Sequence, residues 1–188
     1  CGNGLSLFFL SLTLTRESFL MNDLDITRRH FETLFGPALQ AGLGLINIWS
    51  LPNKISKYFS TVDECADYCH KIRDTRDVYY GISLCPSGIP ETKRGSEDIV
   101  TGLSCLHADL DFHKEGSKKS YPKDAEQALQ ILSDVGIRPT TNIHSGGGFQ
   151  SLWVFKGLWQ FEETEARYRA KEMSRVWNMT IREICQSY

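Results

Sequence analysis

The sequence predicts an α+β fold, a sheet with helices packed against it, and three observations carry that expectation. Over 188 residues the helical and strand-like patterns follow the order α-β-α-β, then a loop, then β-α-β-β-α. Apolar content of 41% and aromatic content of 11%, with no repeat or low-complexity tract, are values of a globular chain able to bury a sizeable core. The stretch from 103 to 155 has the β-α-β-β order of half a split β-α-β unit.

The elements follow in turn. Apolar residues at Phe31, Leu34 and Phe35, with Ala38 and Leu39 on the same face, predict an amphipathic helix from Asp25 that ends near Gly42. Leu43 to Leu51 reads as a strand. Thr61, three residues before Glu64, forms a capping-box pattern that opens a second helix running to about Asp74. A strand follows over Asp77 to Leu84, and residues 85–100, with Pro86, Gly88, Pro90 and Gly95, read as a surface loop. Leu103 to Phe112 is the next strand, and Pro122 to Val135 a helix stopped by Gly136. Two short strands, Thr140 to His144 and Phe149 to Phe155, are joined by the turn Ser145 to Gly148, and Glu162 to Cys185 is a long final helix.

A formal net charge of −2 lacks the large positive excess common among nucleic-acid binders. Local basic clusters offset it: Lys114, Lys118, Lys119 and Lys123 after the third strand, and Arg167, Arg169, Lys171 and Arg175 on the last helix. Either cluster alone also reads as a solvated face. Six cysteines without a tight framework indicate reduced, cytoplasmic usage, and Cys65 and Cys69, four apart on a helix, read as core packing rather than zinc ligands. The apolar stretch Leu5 to Leu14 is too short to span a bilayer, so no membrane partner is expected. Residues 1–20 read as an upstream leader or fragment edge before a natural start at Met21, although the length of the apolar run also fits a secretory signal.

The chemistry concentrates in two segments. In His107-Ala-Asp-Leu-Asp-Phe-His113, alternation along a strand points Asp109 and Asp111 to one face, flanked by His107 and His113. Paired carboxylates in an otherwise apolar strand repel unless a cation lies between them, and hard oxygen ligands select Mg²⁺ or Mn²⁺ over zinc. In the second segment, His144 and Ser145 precede the glycines Gly146, Gly147 and Gly148, and Gln150 and Trp153 follow. Such a turn lets backbone N–H groups approach an anion, although a glycine turn is also a common hairpin device.

These two motifs, in this order, resemble the archaeo-eukaryotic primase superfamily, particularly the primase-polymerases of plasmids and phages. The similarity covers roughly residues 78–156. Its Asp-x-Asp strand motif matches Asp109 and Asp111, and its second motif, a small residue, any residue, then usually histidine, matches Gly148-Phe149-Gln150. The resemblance implies a catalytic core with a ferredoxin/RRM-like palm sheet and an N-terminal α/β unit. It also implies template-directed nucleotidyl transfer in replication of a mobile element, with Asp109 and Asp111 as catalytic metal ligands for Mg²⁺ or Mn²⁺. His144, Ser145, Gly146, Gly147, Gly148 and Gln150 would hold the nucleotide. DNA template and nucleoside triphosphates would be the partners, with a helicase encoded downstream as a further one. Gln150 stands where the family usually has histidine, and a third metal-binding aspartate has no match after Trp153, so residues 21–188 read as a C-terminally truncated catalytic domain. Two alternatives remain open: an inert nucleic-acid-binding or replication-initiation module, and an Asp-x-Asp glycosyltransferase.

Overall fold

A computed structural model describes residues 9–11, 22–113 and 122–188. The apolar run Leu5 to Leu14, apart from residues 9–11, and the lysines Lys114, Lys118 and Lys119 lie outside the described residues. Among the described residues the fold is α+β, with four helices and antiparallel strand pairings, and it divides into two compact units. Among the described residues no helix is long and apolar enough to cross a membrane.

The first unit comprises residues 1–104 and 155–167. Its strands are β1 (Phe9–Ser11), β2 (Leu45–Leu51), β3 (Ile55–Phe59), β4 (Asp77–Cys85) and the start of β5 (Gly102–Asp111). They run in the order β3-β2-β4-β5, and β1 also pairs with β4. Helix α1 (Asp23–Gln40) begins where the Asn22 side chain accepts a hydrogen bond from the Asp25 N–H, and it buries Phe31, Leu34, Phe35 and Ala38. Phe31 meets the buried Tyr80 ring of β4 edge-on at 5.5 Å. Helix α2 (Val62–Ile72) is capped as its sequence predicts: Thr61 accepts from the Glu64 N–H and donates to the Glu64 carboxylate. Its buried face carries Cys65, Ala66, Cys69 and Ile72, which makes the two cysteines core residues.

Strand β3 is absent from the sequence reading. Ile55, Lys57 and Phe59 share one parity and Ser56 and Tyr58 the other, so neither face of this five-residue strand is cleanly apolar. The hairpin before it turns through Lys54, a non-glycine residue at φ 54°, which removes the usual glycine signal.

The second unit comprises residues 105–154 and 168–188. It contains the rest of β5, α3 (Ala125–Asp134), β6 (Thr141–His144), the first half of β7 (Gly148–Gln160) and most of α4 (Thr164–Gln186). Strand β7 lies between β5 and β6, so the β5-α3-β6 connection is split by the strand that follows it. Helix α3 starts at Ala125 instead of Pro122 because the Asp124 side chain is the cap, accepting from the Gln127 N–H. Strand β7 extends to Gln160 rather than stopping at Phe155, past Gly157, a residue that weakens any strand signal. Trp153 is fixed by its indole N–H, which donates to the Ile137 carbonyl at 2.8 Å, and by edge-on packing with Trp177 of α4 at 4.7 Å.

Candidate functional site

Strand β5 alternates buried Leu106, Ala108 and Leu110 with a polar row of His107, Asp109 and Asp111. The neighbouring strand sets which residues of β7 share that row. Phe112, of opposite parity to the aspartates, packs its ring against Phe149 and His144, each at 5.8 Å. Phe149 and His144 are also paired across the β6–β7 ladder, and Gln150 pairs with Ile143 on the reverse face. Asp109, Asp111 and Gln150 therefore belong to one face, and His144 and Phe149 to the other.

The glycine turn is fastened to the end of the acidic strand. The Phe112 N–H donates to the Gly147 carbonyl at 2.8 Å. Gly148 lies so close to β5 that a Cβ there would stand 2.3 Å from the Leu110 carbonyl oxygen and 2.8 Å from the Asp111 Cα. Glycine is required at this position because the backbones touch. Gly146 is required for another reason, a φ of +85°. At Gly147 a Cβ would meet nothing within 4 Å, and the tip of the turn is open. Ser145 closes the turn with both its N–H and its hydroxyl donating to the Gly148 carbonyl, at 2.9 and 3.1 Å.

The structure thus brings together Asp109, Asp111, Gly148 and Gln150. Ser145, Gly146 and Gly147 lie at the same end, whereas His144 turns to the opposite face and packs its ring against Phe112 and Phe149 at an angle. Asp109 is exposed on the strand, yet partial desolvation raises its carboxyl above its ordinary value, and the negative charge of Asp111 adds to the shift. His107 is lowered to about 4 by burial and is neutral at physiological pH, so it contributes no positive charge to the row.

Gln150 is 6% exposed, and its Oε1 is buried without a hydrogen-bond partner. An orphaned amide oxygen costs the free protein stability, on the order of 1–3 kcal/mol. Gln150→Met, close in volume and without the polar atoms, is expected to stabilise the free protein by about 1 kcal/mol in chemical denaturation. A loss of stability would show that the amide already has a use in the free fold. Burial of this side chain was not readable from the sequence, because it depends on strands that lie far along the chain.

Among the described residues, no group of three or more His, Cys, Asp or Glu side chains is suited to hold a metal ion. The two carboxylates still fit a hard cation that takes one or two protein oxygens and completes its shell with substrate phosphates and water, the usual manner of Mg²⁺. Comparison with family models, with curated proteins and with solved structures finds no match for the chain.

Proposed function

We propose that the chain carries a divalent-metal-dependent nucleotidyl-transfer site that joins nucleoside triphosphates on a DNA template in the manner of primase-polymerases. The observation that carries this reading is the placement of Asp109 and Asp111 on the face of Gln150, with the glycine turn fastened at Asp111 and Phe112. An acidic pair and a glycine turn at one end of one sheet suit a single metal-triphosphate group.

Asp109 and Asp111 would hold Mg²⁺ or Mn²⁺, which when bound neutralises phosphate charge and activates an attacking hydroxyl. The chain's own residues position the substrate. Gln150 offers an amide whose oxygen is otherwise idle, and an amide can donate to a phosphate oxygen or accept from a sugar hydroxyl without adding charge. Gly146 and Gly147 are exposed at the tip of the turn, where their backbone amides would be offered to an anion. A neutral His107 beside the carboxylates leaves charge neutralisation to the cation.

The test is template-dependent incorporation. The chain with a primed single-stranded DNA, four deoxynucleoside triphosphates and Mn²⁺ is expected to extend the primer, and Asp109→Ala with Asp111→Ala to abolish extension in a protein that still folds. Triphosphate binding without extension would favour an inert replication module. Preferential binding of nucleotide sugars would favour glycosyl transfer.

A further inference from the structure

We infer that helix α4 is a self-association surface, on which a second copy of this chain packs its own α4 antiparallel about Val176. The stretch of α4 from Tyr168 onward has one buried face, carrying Ala170, Ser174, Ile181 and Cys185. The opposite face exposes large apolar side chains: Tyr168 at 59%, Met173 at 48%, Val176 at 50% and Met179 at 44%. Such a stripe on an amphipathic helix marks a contact surface.

The charges on this face point to the partner. Arg169, Val176 and Glu183 are spaced by seven residues, two turns each, and form one line down the middle of the exposed face. Met173 and Thr180 flank the line on one side, and Glu172 and Met179 on the other. A two-fold axis through Val176 and perpendicular to the helix exchanges positions equally distant from Val176, so Arg169 of one copy meets Glu183 of the other, twice per dimer. The face is complementary to itself in charge, with apolar residues between the two ion pairs, as an isologous interface requires. Arg169 and Glu183 are exposed, and among the described residues neither enters an ion pair within its own chain. They lie about 21 Å apart along the helix, so they cannot satisfy one another within a copy. Glu172, by contrast, is engaged with Arg175 at 2.9 Å.

The experiment is sedimentation equilibrium of the full chain and four surface variants, each checked for an unchanged circular-dichroism spectrum. A single helix pair buries less than the ~800 Å² per partner of a standard stable interface, so the wild type is expected to dimerise with a dissociation constant in the roughly micromolar range. Val176→Glu, which brings two like charges together at the axis, should leave a monomer. Arg169→Glu and Glu183→Arg should each weaken the dimer on the order of tenfold or more, because each places like charges together at both ends. The double variant should recover the wild-type association. So should an equimolar mixture of the two single variants, which pairs only between unlike copies. A wild type that stays monomeric across the range overturns the inference, as does a dimer unaffected by Val176→Glu, or a double variant and mixture no better than the single changes.

Discussion

Gly148→Ala is expected to destabilise the protein by about 3 kcal/mol or more, because the new methyl would overlap the Leu110 carbonyl oxygen and the Asp111 backbone. Both colliding groups are main chain, so no side chain can rotate away. Relief requires β5 and β7 to separate at the end where the aspartates and the turn meet. For a chain of this size the thermal midpoint should fall by roughly 6–12 °C. The other two glycines are built-in controls. Gly146→Ala meets no neighbour but strains a φ of +85°, and should cost about 1 kcal/mol. Gly147→Ala has neither penalty and should leave stability unchanged. Equal effects at all three positions would show that the turn does not lie against β5 as described.

Asp109→Asn should have opposite effects on the free protein and on its response to metal. The Asp109 carboxyl is raised above its ordinary value of 3.8 in the fold, by partial desolvation first and the Asp111 charge second. A carboxyl raised on folding holds its proton more tightly in the native state, so the native state loses stability as pH rises from the unfolded value through the folded one. The loss is absent well below 3.8 and sets in as pH rises above it. Removing the charge should therefore raise the midpoint of the free protein at pH 7, and the advantage should vanish in acid. Metal inverts the order. At ten times its dissociation constant, Mn²⁺ should stabilise the wild type by about 1.4 kcal/mol, or roughly 3 °C, and leave Asp109→Asn unmoved. A variant that keeps the Mn²⁺ shift would remove Asp109 from the metal site.

Much of this arrangement is legible in local residue chemistry. Thr61 and Glu64 mark the start of α2 because a capping box is a local exchange of hydrogen bonds, complete within four residues. Asp109 and Asp111 are recognisable because alternation in a strand is also local. What the sequence conceals depends on partners far along the chain. The strand Ile55–Phe59 has no pattern of its own and exists through pairing with β2. The helix expected from Pro122 waits for Asp124 because a cap is decided by which side chain reaches the third amide beyond it. At the site, His144 and Gln150 both looked available to a phosphate. Their separation onto opposite faces follows from the pairing of His144 with Phe149, which is fixed by the geometry of the turn between them. Gly148 shows the same limit: the sequence offers three equivalent glycines, and only the adjacent strand distinguishes the one that cannot change.

The central claim is that Asp109, Asp111 and the glycine turn hold one metal-triphosphate group, and isothermal titration of a nucleoside triphosphate with and without Mn²⁺ tests it most directly. Binding to the wild type is expected to require the metal. It should disappear in Asp109→Ala with Asp111→Ala and weaken in Gln150→Met, whose free fold is expected to be more stable. Metal-independent binding, or binding that survives loss of both carboxylates in a folded protein, would contradict the account.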